Sequence, residues 1–366
     1  MSIGQNTLDW LRTELFQVEA ASSVETARGF RWWPHQQAQT LEVIGPEAGP
    51  DGAPAALVLV HTELLRDLDL DEEVLAVLQA VTLRTAGMAG PVYDPARRTL
   101  DLCTLVRVYA DIDGWMRRLI GLAAMLQIRD ADRGASAIAE AVGAAPARSG
   151  HPERGARAEP DALIAEALLR LDAEGRAASR WPGEELVRFA ESYLDQSPAL
   201  LGTGDATGFT VEFPHGKRAS SLCEVATDQT HPWYGHGLAL RQRFPVSVTS
   251  NVEGRHLALE LNARALSEAP MGYGFGSFGY EEGTLAFQAF FPNTAYQPGL
   301  VTNLYLSCAE RARMLSVLLT GVDWTEESFD PGRSAASGLI QPVLVNADEL
   351  VGAGAAGVTT TPYVVR

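Results

Sequence analysis

Few residues in this chain have the type and spacing to do chemistry, and most of them fall between His215 and Tyr296. Gly274-Phe275-Gly276-Ser277-Phe278-Gly279 matches the GxGxxG pattern. That pattern cradles a pyrophosphate only where a strand leads in and a helix begins at its end, turning free amides toward the anion. Here Tyr280, a Glu281-Glu282-Gly283 turn and an alternating arm from Thr284 to Phe291 follow. The segment therefore predicts a β-hairpin in which glycine relieves close strand packing. His231 and His236 flank Pro232-Trp233-Tyr234-Gly235, with His215 near in sequence, but a metal site needs at least a third ligand and oriented supporting groups. This spacing predicts a turn. Glu281-Glu282 sits at a hairpin tip, and Asp69 to Glu73 at a helix start, where negative charge suits the dipole. No GxxxxGK[ST], GxSxG or HExxH segment occurs. No catalytic residue, no cofactor and no metal is assigned.

Composition narrows the classes further. The chain has 366 residues, 46% of them hydrophobic, enough for two domains with their own cores. A net charge of -17, with only 29 Lys and Arg, argues against nucleic acid, whose phosphates are held by clustered cations. An anionic membrane surface is disfavoured on the same ground. The N-terminal segment lacks a basic region followed by an apolar run, and no stretch approaches the roughly 20 apolar residues that span a bilayer. Cys103, Cys223 and Cys308 are odd in number and far apart among apolar neighbours, which suits buried thiols in a cytoplasmic protein.

The elements that must position these residues follow from periodicity. A helix is expected from Thr7 to about Glu19, capped by Asn6 or Thr7, then strands at Gly29–His35, Thr40–Gly45 and Ala55–Glu63. Asp71–Thr85 reads as an amphipathic helix, Pro91–Tyr109 as a hairpin, and a further helix begins near Asp113. Ala144 to Glu159 is rich in Ala, Arg, Gly and Pro and reads as a linker, followed by a short helix over Asp161–Glu174. Then the order restarts. Helix Gly183–Gln196, strands at Gly208–His215, Leu222–Ala226 and Gly237–Phe244, helix Asn251–Leu266, the hairpin within Met271–Tyr296 and helix Val301–Leu319 complete it. Pro34-His35 matches Pro214-His215, Tyr93 matches Tyr280, and Thr99-Leu100-Asp101-Leu102 matches Thr284-Leu285-Ala286-Phe287, at an offset of about 180 residues. The expected fold is α+β: two tandem repeats of a helix, three strands, helix, two strands, helix domain, each an antiparallel sheet with helices chiefly on one face. The expected domains are 1–143 and 183–321, with a linker at 144–182 and a tail at 322–366. Within the tail, Gly338–Asn346 could form a strand or an extended arm.

Aromatic placement gives the binding candidates. Leu285, Phe287, Ala289 and Phe291 share one face of their strand and Phe290 looks the other way. The repeat alignment puts Trp33 with Phe213 in the core and Trp32 with Glu212, pointing outward. Trp32, Trp233, Tyr234 and Phe290 are therefore candidates for an exposed partner-binding surface, the competing reading being burial between the two domains.

This order of elements, in tandem and acidic, resembles the YbjN-like and type III secretion chaperone-like superfamily over about Thr7–Gly143 and Gly183–Gly321. The resemblance implies a non-enzymatic protein that binds an extended peptide or another protein, here on uncovered sheet faces or in an interdomain groove, and the acidic surface favours a basic or amphipathic partner. The repeated order of elements gives the expectation of a pseudo-dimer within one chain, with a homo-oligomer left open. Two other classes stay open. One is a small-molecule binder or enzyme with an interdomain pocket lined by Tyr273, Phe275, Tyr280 and His236; the other is a purely structural oligomerisation module.

Overall fold

The computed structural model describes residues 2–48, 54–177, 181, 199–201, 208–267, 274–281 and 283–323. Helix α1 (Ile3–Trp10) opens the chain and loosens into a π-turn over Leu11–Leu15. The strands β1 (Ser23–Glu25), β2 (Gly29–Trp32), β3 (Gln39–Ala48) and β4 (Pro54–Arg66) follow, then α2 (Glu72–Thr85), β5 (Gly90–Asp94), β6 (Thr99–Tyr109) and α3 (Asp113–Val142). A two-residue strand β7 (Ala145–Pro146) and α4 (Ala162–Gly175) lead to the second half. That half contains β8 (Ala199–Leu201), β9 (Gly208–His215), β10 (Ala219–His231), β11 (Gly235–Phe244), α5 (Asn251–Ser267), β12 (Ser277–Glu281), β13 (Thr284–Pro292) and α6 (Leu300–Thr320).

The predicted α+β class holds. One sheet runs β1-β2-β3-β4-β6-β5 with β7 beside β4, the other β12-β13-β11-β10-β9-β8, and every pairing is antiparallel. Alternation explains the pleat. Ala56, Val58, Val60 and Thr62 of β4 are buried on the face covered by α1 and α3, while Leu59, His61 and Glu63 on the other face are half-buried. Asp71 caps α2 by accepting from the Val74 amide at 2.8 Å. Gly143, at φ +66°, ends the 30-residue α3 and donates back to the Ala139 carbonyl.

Three expectations need correction or qualification. The first helix starts at Ile3 rather than Thr7, because Ser2 supplies the cap, its Oγ accepting from the Gln5 amide at 3.2 Å. Residues 144–159 do not hang free: β7 pairs with β4, Trp33 Nε1 donates to Ser149 Oγ at 3.1 Å, and buried His151 meets the Trp33 ring edge-on. Composition signalled a segment unable to build its own core, and it docks on a neighbouring one instead. The helix expected at Gly183–Gln196 and the arm at Gly338–Asn346 lie outside the described residues.

The halves meet along a seam. The Tyr280 amide donates to Gln79 Oε1 at 2.9 Å, the Phe290 amide to the Gly87 carbonyl at 3.2 Å, and Arg107 lies 3.4 Å from Glu310. One cluster of buried side chains runs across both halves, from Leu8 to Leu315. A smaller one, including Leu64, Leu78 and Ala135, sits under α2.

Candidate functional site

Two concavities among the described residues bear on function. The first is a groove of about 570 Å³ between α3 and α4, deep enough to fall within the range typical of binding clefts. Leu119, Leu122 and Met125 of α3 form one wall, and Ile164, Ala167 and Leu171 of α4 the other, at i, i+3 and i+7 of a helical stripe. Tyr296 and Pro298 of the second half close its end. Leu163, 40% exposed, stands at the lip, and Leu169, 70% exposed, lies farther along the same helix. Arg118, Arg170 and Glu174 line the rim, and Arg170 is paired with Glu166 at 2.6 Å, so the rim carries no cationic excess.

The second is a smaller crevice on the seam, built around the β10–β11 turn. Tyr234 stacks on His231 at 4.1 Å, lies beneath the Arg129 guanidinium at 4.5 Å, and donates its hydroxyl to Asp130 Oδ2. Arg129 in turn pairs with Asp172 at 2.8 Å, and Arg133 approaches the same carboxylate at 3.3 Å. The turn fits because its neighbours lack side chains: a Cβ on Gly87 would come within 2.9 Å of the Tyr234 ring, and one on Gly175 within 2.2 Å of the Tyr234 carbonyl.

Burial tunes these groups. It lifts the Asp130 carboxyl to about 7, against the pull of the Tyr234 hydrogen bond and of Arg129 and Arg133. It lowers His231 to about 4, helped by Arg129, so this imidazole is neutral at pH 7, with Nδ1 accepting from the Trp233 amide at 3.1 Å. Tyr234 is pushed well above the usual phenol range, by burial first and by Asp130 second. Asp130 as a residue keeps some exposure, but its Oδ1 is shielded from solvent and has no hydrogen-bond partner.

The predicted binding residues are not an exposed surface. Trp32 is 0% exposed, stacked on Phe16 at 5.3 Å and donating to Gln39 Oε1 at 3.1 Å, so its outward assignment is overturned. The error is one of register. Trp32 pairs with Gln39, Gln39 with Thr62 and Thr62 with Leu102; the matching row in the second half runs Phe287, Gln242, Cys223 and Val211. Trp32 thus corresponds to Val211, not Glu212, and a one-residue slip exchanges the faces. Tyr234 and Phe290 are buried at the seam, as the competing reading had it: Phe290 is 4% exposed and lies 4.8 Å from the His231 ring. Trp233 is half-buried and walls the crevice. Sequence placed two of these aromatics, Trp233 and Tyr234, side by side in the turn, and did not bring Asp130 to them.

The other candidates disperse. Ser277 starts a strand, so the GxGxxG segment has no helix to present amides, and a Cβ on Gly276 (φ +125°) would strike the Gln288 carbonyl. Among the described residues no group of three or more His, Cys, Asp or Glu could hold a metal ion. His215 packs on Phe244 at 6.0 Å, and burial lowers its pKa. Of the imagined interdomain pocket, Tyr273 lies outside the described residues, Phe275 packs edge-on against Phe291, and the Tyr280 ring crowds Gly254. The outer face of the second sheet carries ion pairs, Arg243 with Glu224 at 2.7 Å and Arg241 with Glu281 at 3.2 Å, rather than an apolar field. Among the described residues no helix is long and apolar enough to cross a membrane. No family model, curated protein or solved structure matches the chain.

Proposed function

We propose that this protein is a non-enzymatic, chaperone-like binder that holds an amphipathic segment of another polypeptide in the groove between α3 and α4. The observation that carries the reading is the groove itself: an open, apolar channel of about 570 Å³ with Leu163 exposed at its lip. Such exposed apolar area marks contact sites, and a helix laid into it reads out apolar anchors one turn apart. With Arg170 paired to Glu166 and Glu174 beside it, the net charge of -17 favours a basic or amphipathic partner segment. The resemblance to secretion chaperone-like and YbjN-like domains, and the shared strand order of the two sheets, support a duplicated binding module working in the cytoplasm.

Panning a random peptide library on the immobilised full chain is expected to enrich sequences with two or more large apolar residues beside a basic one. Ala167→Glu, which places a charge in the half-buried wall, should reduce retention at least tenfold while leaving the thermal transition in place. Equal retention by the variant removes the groove from consideration.

A further inference from the structure

The α3–α4 groove has a candidate occupant within its own chain. Tyr296 and Pro298 close one end of the groove, and α6 begins at Leu300, so the start of that helix is fixed beside it. The other end of α6 is fixed as well. Arg313 pairs with Asp323 at 2.7 Å and Ser316 Oγ donates to the Val322 carbonyl at 2.7 Å, which sets the point from which the chain continues to Arg366. With 21 residues at about 1.5 Å each, α6 carries that point about 31 Å along its axis from the groove.

Composition says what lies beyond it. Residues 325–338 are mostly polar or small, ending in Ser334-Ala335-Ala336-Ser337-Gly338. A block of branched aliphatics follows, Leu339, Ile340, Val343, Leu344 and Val345, before Gly and Ala take over again from Gly352 to Gly357. A block with so few apolar neighbours in its own segment cannot bury itself there. The groove, for its part, presents Leu119, Leu122, Met125 and a 40% exposed Leu163 to water. Each surface lacks what the other supplies.

The distance fits. About 16 residues lead from Asp323 to Leu339, which gives an r.m.s. span of about 20–24 Å and an extended reach of about 53 Å, so about 31 Å is bridged without full extension. A tether of this length holds the block at an effective concentration on the order of millimolar, enough to half-fill a site whose dissociation constant is about 1 mM.

We propose that the aliphatic block Leu339–Val345 returns along α6 and occupies the α3–α4 groove of its own chain, so that a partner segment must displace it. Pro342 bars a regular helix through the block, so an extended backbone carries these side chains in. The proposal rests on the groove being a site for polypeptide, and it adds the competitor that regulates access.

The test uses the full chain with the photo-cross-linker p-benzoylphenylalanine in place of Leu163. Irradiation, digestion with trypsin and mass spectrometry are expected to join α4 to the C-terminal peptide 334–366 within one chain. Ile340→Asp combined with Leu344→Asp should lower that yield at least fivefold without moving the thermal transition. In a chain without the cross-linker, the same pair should raise the fluorescence of added 1-anilinonaphthalene-8-sulfonate at least twofold as the groove is vacated, and Ala167→Glu on top of it should remove the gain. Cross-links that land elsewhere, links only between separate chains, which would seat the block in a second copy, or unchanged dye uptake overturn the proposal. Peptide capture is read separately: capture that persists without the tail link leaves the groove reading standing and the self-occupancy refuted.

Discussion

The two sheets solve one packing problem in different ways. Gln39, Thr62 and Leu102 lie side by side across β3, β4 and β6, and Cys223, Gln242 and Phe287 occupy the corresponding row across β10, β11 and β13. In the first half the row anchors a neutral network. Trp32 donates to Gln39, Gln39 to Thr62 and the Ala124 carbonyl, Thr62 to Gln127, Gln127 to Thr104 and Thr104 to the Met88 carbonyl, at 2.7 to 3.1 Å. In the second half the same row surrounds a fully buried cation. Arg311 stacks 3.5 Å above Phe287, donates to Gln242 Oε1 at 3.3 Å and approaches Cys308 Sγ at 3.9 Å, with Nε unpartnered. Burial lowers the Arg311 pKa; the Cys223 thiol is raised, first by its hydrogen bond to Cys308, and Cys308 is lowered because Cys223 and Arg311 outweigh its own burial. The lesson concerns the aromatic excess of the second hairpin. Phe287, where the first half has Leu102, supplies the face of an arginine, and Phe290 seals the seam, so both serve the inside of the molecule.

Three measurements break or sharpen this contrast. The largest effect is expected from Trp32→Ala, which removes a ring from the first core and should lower the urea-derived stability by about 3–5 kcal/mol. A near-neutral result would return Trp32 to the surface. Next comes a matched pair. Gln39→Leu leaves Trp32 Nε1 without its acceptor and Thr62 Oγ1 without its donor and should cost about 2–4 kcal/mol, whereas Arg311→Met removes an under-satisfied charge and should change stability by no more than about 1 kcal/mol. If Arg311→Met proves the costlier, the second core depends on its cation after all.

The smallest effect belongs to the seam. Asp130 titrates at about 7 in the fold and near 3.8 when unfolded, so the folded state binds the extra proton and stability falls as pH rises through 7. At about 1.36 kcal/mol per unit, Asp130 should remove about 1 kcal/mol between pH 6 and 8. His231, lowered from 6.5 to about 4, acts oppositely: its contribution is complete above 6.5 and is lost as pH falls toward 4. Thermal melts of Asp130→Asn should therefore lack a decline that the unaltered protein shows above pH 6.5, and parallel profiles would contradict it.

Much of the framework was legible in the sequence, because helical and alternating periodicity report local burial. The bounds of α2, β9, β11, α5 and α6 fall within a few residues of those expected. What stayed hidden depends on contacts distant along the chain. Trp32 was misplaced because pairing register cannot be read from a motif alignment, and Asp130 was passed over because its partner Tyr234 is 104 residues away. A usable hint did exist: Gln127, Arg129 and Asp130 interrupt an apolar run, and such interruptions in a buried helix ask for partners. The α4 wall was likewise present as Leu163, Ile164, Leu168, Leu169 and Leu171, more leucine than a mere linker cap requires.

At 1.5 Å per residue, the 30 residues of α3 make a rod about 45 Å long. Leu119, Leu122 and Met125 meet the groove, Gln127 ties into the first core, and Asp130 and Ile138 face the crevice. With the helix ladder continuous between them, the walls of both cavities are fixed to one element and keep one spacing along it. One helix thereby serves as a common ruler for two cavities that share no lining residue.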